Sequence, residues 1–174
     1  MAAGTTRLLL LAGAANLSSV AVTLAALWLL APLAAPPAGI ADPGARLALW
    51  ARLALWPALV LAAMVAGVLL ARARSLAFNP IDDPESRPYR VSQRVLSNTV
   101  EQTLIFLPGL AALVAQLPLP SLGVPALAAA LFVLGRLLFW AGYLVHPYLR
   151  APGMAMTLTV NLVVLGWGVL LTLG

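Results

Sequence analysis

Five long apolar segments, separated by short polar or proline-rich breaks, constrain this chain more than any other feature of its sequence. About 20 helical residues cross the hydrocarbon core of a bilayer. Each segment is at least that long, and together they cover Leu8–Ala31 and about 47–71, 90–116, 126–145 and 151–173. Hydrophobic residues make up 63% of the chain and charged residues only 9%, which is not typical of a soluble domain. We therefore predict an all-α integral membrane protein, a bundle of about five transmembrane helices.

The first apolar segment also has features of a secretory signal peptide, since Arg7 precedes it and small residues and prolines follow it. Its 24 residues exceed the roughly 7–15 residues that form the apolar part of such signals. We expect a retained helix. Residues 1–45 are then an additional N-terminal transmembrane helix with its loop, and residues 46–174 form a four-helix membrane domain.

The arginines predict how the chain is oriented. All ten basic residues are arginine, and half of them lie in segment 72–94. Basic residues collect in cytoplasmic loops, so we expect this segment and the N-terminus inside and the C-terminus outside. As a separate expectation, the membrane is a bacterial inner membrane. The clustering of these arginines beside apolar helices argues against nucleic-acid binding. With no cysteine and one histidine, the sequence predicts neither a disulfide nor a metal site.

The third apolar segment carries polar residues where lipid-facing residues would be expected. Arg94, Asn98 and Glu101 follow one another at i, i+4 and i+7, so they share one helical face. Glu101 needs a partner inside a membrane, and Arg136 of the next helix is a candidate. One interpretation is a buried Glu101–Arg136 ion pair that fixes helix register. The other is a site for a small anionic ligand, because the arginines here outnumber Glu101: Arg72, Arg74, Arg94, Arg136 and Arg150.

Three stretches also carry a resemblance to a known family. They are RARSLAFNPIDD (72–83), RVLSNTVEQ (94–102) and GRLLFWAGYLVHPYLRAP (135–152). In this order they resemble the MAPEG family, the membrane-associated proteins of eicosanoid and glutathione metabolism. The resemblance implies a core of four helices, which maps onto the second to fifth apolar segments. The first segment is then an addition to the family pattern.

The resemblance also implies a homotrimer that binds glutathione as co-substrate, without a metal, between subunits near the cytosolic face. Arg150 matches the arginine that stabilises the glutathione thiolate in some members. Gln102 and Phe139 depart from the family, since some members have tyrosine at the first position and tyrosine or histidine at the second. The implied glutathione-binding residues are Arg94, Asn98, Glu101, Arg136, Tyr143 and, from a neighbouring subunit, Arg72 or Arg74.

The favoured function is therefore a membrane-bound, glutathione-dependent transferase or peroxidase. A thiol ionises with a pKa of ~8.5 and reacts as the thiolate, so a nearby arginine that favours the anion would activate it. The second substrate would be a lipophilic electrophile that enters from the bilayer. Two alternatives stay open: a catalytically silent binding or interaction protein on the same scaffold, and a small transporter with Glu101 as its ion site.

Overall fold

A computed structural model describes residues 2–40, 42–76, 79 and 84–174, with side chains described from Leu10 onward. Within these ranges the chain forms five α-helices: α1 (Ala2–Leu30), α2 (Pro43–Ser75), α3 (Arg87–Gln116), α4 (Val124–Val145) and α5 (Ala151–Leu173). Each is long and apolar enough to cross a membrane. The prediction of an all-α membrane bundle with five spans is confirmed.

Helices α2 and α3 begin at capping residues that the apolar pattern alone did not mark. The Asp42 side chain accepts a hydrogen bond from the Ala45 backbone N–H at 2.9 Å, and Ser86 accepts one from Tyr89 N–H at 3.3 Å. A proline occupies the first turn of both helices, where its missing N–H costs nothing. Both helices therefore start a few residues before the apolar segments that predicted them.

The first turns of α2 are joined to the second half of α3 and the residues after it by hydrogen bonds from side chains to backbone carbonyls. The Arg46 guanidinium donates to the carbonyls of Val114 (2.7 Å) and Leu117 (2.9 Å), which lie where α3 ends and lack helical donors. Trp50 donates its indole N–H to the Leu107 carbonyl at 3.2 Å. These contacts fix α2 along α3 at the end of the bundle opposite Arg94.

The main core lies between α3, α4 and α5. Phe106 of α3 stacks on Phe132 of α4 with ring centroids 4.2 Å apart, and both rings are fully buried. Around them pack aliphatic residues from all three helices, including Leu110, Leu113, Val160 and Val164. This core fixes α3 against α4 and so sets the relation between their polar residues.

Glycines let α4 and α5 approach closely beside a short connection. A Cβ atom on Gly153 would overlap the backbone of Phe139 and Gly135, and one on Gly142 would overlap the Leu149 carbonyl. The connection is a 3₁₀ turn, Pro147–Arg150. This tight return places Arg150, the last residue of the turn, against the end of α4.

Helix α1 packs on the outside of the bundle, mainly against α5. Ser19 donates a hydrogen bond to the Pro152 carbonyl at 2.7 Å, and the fully buried Thr23 donates to the Ser19 carbonyl at 2.7 Å. Just beyond the C-terminal end of α1, Ala34 packs so closely on Gly123 that a Cβ there would overlap it. The added helix is therefore attached to the bundle near its middle and just after its C-terminal end.

Candidate functional site

A cavity of about 520 Å³ opens at the end of the bundle where α3 begins and α4 ends. Small-molecule sites commonly have volumes of roughly 300–1,000 Å³. Three elements supply its walls: the start of α3, the end of α4 and the start of α5 with its preceding turn. The lining residues are Glu85, Arg90, Gln93, Arg94, Ser97, Asn98, Glu101, Phe139, Tyr143, Arg150 and Met154.

The polar face of α3 forms one wall of this cavity. Arg94, Asn98 and Glu101 all line it, as their spacing along the helix predicts. Arg94 and Glu101 are exposed and Asn98 is half-buried. The three side chains that the sequence placed on one face are therefore together and accessible to a ligand.

Arg136 lies behind this wall instead of facing the cavity. Its side chain is fully buried, and its guanidinium donates to Asn98 Oδ1 (3.1 Å), Thr99 Oγ1 (2.8 Å) and Thr157 Oγ1 (3.2 Å). All three acceptors are neutral oxygens. Arg136 therefore supports the cavity wall without lining the cavity.

The ion pair between Glu101 and Arg136, one of the two interpretations of these polar residues, is not formed between these two described side chains. Glu101 lines the open cavity, whereas the terminal nitrogens of the Arg136 guanidinium donate to hydroxyls of α3 and α5, and its buried Nε has no partner among the described residues. Hydrogen bonds from a charged donor to neutral oxygens are strong. Glu101 thus keeps its carboxylate available to a ligand.

Arg136 also fixes how Asn98 presents its amide. Because Asn98 Oδ1 accepts from Arg136 at 3.1 Å, the amide N–H₂ is left to face the cavity as a donor. The buried Arg136 thereby determines that Asn98 offers the cavity a hydrogen-bond donor and not an acceptor.

Two adjacent aromatic rings of α4 lie between two guanidinium groups, one on α4 and one in the turn that follows it. The Arg136 guanidinium carbon lies 4.1 Å from the Phe139 ring centroid, and Phe139 meets Tyr143 edge-on at 5.7 Å. The Arg150 guanidinium then lies 4.8 Å from the Tyr143 ring centroid. Cations over aromatic faces are attracted by the ring quadrupole, so Phe139 and Tyr143 position both arginines. Phe139, one of the departures from the family pattern, has this structural role here.

Gln102, the other departure, is turned away from the cavity. It is buried, and it accepts two hydrogen bonds from the Asn161 amide, on its backbone oxygen (3.0 Å) and on its side-chain oxygen (2.8 Å). These bonds join α3 to α5 in the middle of the bundle. Gln102 therefore stabilises helix packing.

Arg72 and Arg74 lie apart from the cavity within a single chain. The Arg72 guanidinium carbon is 5.7 Å from the Tyr89 ring centroid. Arg74 lines a separate cleft of about 370 Å³ between α2, α3 and α4, together with Ser92 and Trp140. One copy of the chain does not bring either arginine to the Arg94 face.

Five lining residues were not predicted from the sequence: Glu85, Arg90, Gln93, Ser97 and Met154. Arg90 and Ser97 continue the helical repeat of Arg94 and Glu101, so extending that repeat by one turn would have found them. Met154 belongs to an apolar run that gave no such signal. Asp82 and Asp83, which form an acidic cluster with Glu85 in the sequence, lie outside the described residues.

The charges of the cavity favour a zwitterionic or anionic ligand. Three arginines line it, Arg90, Arg94 and Arg150, against the two carboxylates of Glu85 and Glu101. The described ranges contain no cluster of three or more His, Asp or Glu residues that would hold a metal ion.

Comparison with known proteins agrees with the resemblance seen in the motifs. Residues 47–170 match the MAPEG family, a range that includes α3, α4 and most of α2 and α5 but excludes α1. No curated protein sequence matches the chain. The division of the chain between residues 45 and 46 stays a prediction. The protein belongs to the MAPEG family of membrane proteins, with an additional N-terminal helix.

Proposed function

We propose that this protein is a glutathione-dependent transferase of the membrane, which activates the glutathione thiol for attack on a lipophilic electrophile. The observation that supports it most strongly is the cavity that Arg94, Asn98 and Glu101 of α3 line together with Arg150. A peroxidase reaction would use the same activated thiol.

The charges of glutathione complement those of the cavity. The tripeptide carries two carboxylates, one ammonium group and a thiol. Arg94 and its neighbour Arg90 would bind carboxylates, for which guanidinium groups are well suited, and Glu101 would accept the ammonium group. The Asn98 amide N–H₂, oriented by Arg136, would donate to a ligand oxygen.

Arg150 would stabilise the thiolate. Its guanidinium lies over the Tyr143 ring beside the apolar Met154 and Phe139, where the surroundings would screen its charge less than bulk water does. The thiol proton would pass to solvent, and the thiolate would form a bond from sulfur to carbon. The leaving group would depart with the bonding electron pair, or an unsaturated carbonyl substrate would take up a proton.

The assembly and orientation are part of the same proposal. A homotrimer in a bacterial inner membrane, with the cavity facing the cytoplasm, would give access to cytosolic glutathione. Arg72 or Arg74 would then reach the ligand from a neighbouring subunit. Their place outside the cavity of their own chain is compatible with such an arrangement.

The test is calorimetric titration of purified protein with glutathione, followed by conjugation of glutathione to a soluble electrophile. Arg94→Gln should weaken binding about tenfold or more, because hydrogen bonds to charged groups are worth about 1.5–3 kcal/mol. Arg87→Gln is the matched control, since Arg87 is exposed on the same helix and does not line the cavity. Wild-type protein that does not bind glutathione would refute the proposal. Binding without conjugation would instead favour the silent binding protein.

A further inference from the structure

A second cavity, of about 480 Å³, lies between the added helix α1 and α5. Its α1 wall includes Val20 and Leu24, and its α5 wall includes Leu158 and Leu162. Thr159, one of its few polar lining residues, already donates its hydroxyl hydrogen to the Ala155 carbonyl at 2.8 Å. The cavity, here called the α1–α5 groove, is therefore apolar along most of its length.

Met154 connects this groove with the polar cavity. It lines both of them, and it stands four residues after Arg150, the residue that precedes α5 and lines the polar cavity as well. The thioether is flexible and tolerant of neighbouring shapes. A molecule lying in the groove would thus place one end beside Met154, on the far side of which lies the polar cavity with Arg150.

The α1 wall of the groove is fixed in position close to Met154, where the groove joins the polar cavity. The hydrogen bond from Ser19 to the Pro152 carbonyl, 2.7 Å long, lies one residue along α1 from Val20 and two along α5 from Met154. The buried Thr23 holds the same turn of α1 through the Ser19 carbonyl. The groove is therefore a preformed feature of the bundle at its junction with the polar cavity.

We propose that the α1–α5 groove binds the hydrocarbon chain of the lipophilic electrophile and directs its reactive carbon past Met154 toward the thiol. This inference rests on the proposed glutathione-dependent function. An alkyl chain in a bilayer is already surrounded by hydrocarbon, so the groove gains little from hydrophobic transfer. Its contribution is orientation, which can account for large rate effects when two reactants must meet.

The test compares conjugation of glutathione to 2-alkenals that differ only in chain length, four against twelve carbons. Val20→Trp fills the groove from α1. Val22→Trp is the matched control, because Val22 lies two residues further along the helix, 61% exposed, and does not line the groove. Val20→Trp should lower kcat/KM for the long alkenal by about tenfold or more, since misplaced substrates react far more slowly. Both variants should change kcat/KM for the short alkenal by less than about twofold, as substitutions distant from the reacting atoms usually do.

If Val20→Trp lowers kcat/KM equally for both alkenals, or does not lower it for the long alkenal, the inference about the groove is wrong, although glutathione conjugation itself would still stand. A readout without turnover is photolabelling with a dodecyl chain that carries a diazirine. Wild-type and Val22→Trp proteins should be labelled at Leu158 and Leu162, and Val20→Trp should lose most of that labelling. Equal labelling of all three proteins would refute the groove as a chain site, even if the protein does not use glutathione.

Discussion

Replacement of Arg136 by methionine should separate ligand binding from folding. The change removes the guanidinium but keeps an unbranched side chain that can occupy much of the same space. The three hydrogen bonds to Asn98, Thr99 and Thr157 are lost, at about 1.5–3 kcal/mol each. The protein also no longer buries a cation that has no carboxylate partner among the described residues, and burial of such a charge costs several kcal/mol.

The lost hydrogen bonds and the relieved burial of charge are of similar size and opposite sign, so we expect the free energy of unfolding to change by no more than about 2 kcal/mol. The remaining partners support this estimate. Thr99 still donates to the Val95 carbonyl at 2.8 Å, and Thr157 still donates to the Gly153 carbonyl at 2.9 Å. Only Asn98 loses the partner that fixes its amide.

Glutathione binding should respond more strongly than stability does. Without the bond to Arg136, the Asn98 amide can rotate, and one oriented hydrogen bond to the ligand is weakened. A loss of about 1.4 kcal/mol corresponds to a tenfold rise in Kd. Asn98→Ala should give a similar rise, and the double variant should bind no more weakly than Asn98→Ala alone, because both changes remove the same interaction.

Calorimetry of the four proteins, with unfolding measured in the same micelles, provides the double-mutant cycle. Additive losses of affinity would show that Arg136 acts on the ligand independently of Asn98. Wild-type affinity in Arg136→Met would refute the orienting role. A variant that cannot be purified folded would show that the buried charge is needed for the bundle itself.

Four further predictions address other parts of the molecule. Arg150→Ala should lower the conjugation rate about 10–100-fold near pH 7 but only a few-fold near pH 9, because loss of the cation raises the pKa of the bound thiol, which still loses its proton to solvent above ~8.5. Equal losses of rate at both pH values, or a titration of thiolate absorbance that the substitution does not shift, would make Arg150 a membrane anchor only. Arg46→Gln should lower the free energy of unfolding by about 1.5–3 kcal/mol through the lost hydrogen bonds to carbonyls at the end of α3, without changing glutathione affinity. Arg52→Gln, at an exposed position of the same helix, should lower it little, and equal effects of the two substitutions would argue that Arg46 does not cap α3. Gly153→Ala should destabilise by about 1–3 kcal/mol or more, since its Cβ would overlap α4, and unaltered thermal unfolding would contradict that close approach. A reporter fused at Gly174 should be active outside the cytoplasm, and activity only inside would reverse the predicted topology.

The apolar segments predicted the number and approximate limits of the helices because a bilayer fixes the length of a span. The polar face of α3 was equally predictable, since residues at i, i+4 and i+7 share a side of any helix. Arg94, Asn98 and Glu101 therefore lie together as expected. Both predictions depended only on local geometry.

The partner of Arg136 could not be predicted in this way. Charge suggested Glu101, but the guanidinium meets hydroxyls of Thr99 and Thr157, and the second of these belongs to α5. Its position depends on the glycine contacts that bring α5 against α4. Threonines in apolar helices usually bond their own backbone, so their sequence gives no sign of a second, interhelical partner.

The attachment of α1 along α5 has a consequence for how copies of this protein can associate. A helix that covers one flank of α5 removes that flank from the area open to a second copy. A symmetric ring would then close through surfaces on the other side of each protomer, where α2 and α3 present exposed apolar residues such as Leu59 and Leu104. In such a ring α1 would form the outer circumference, the first surface that a molecule diffusing laterally in the bilayer meets.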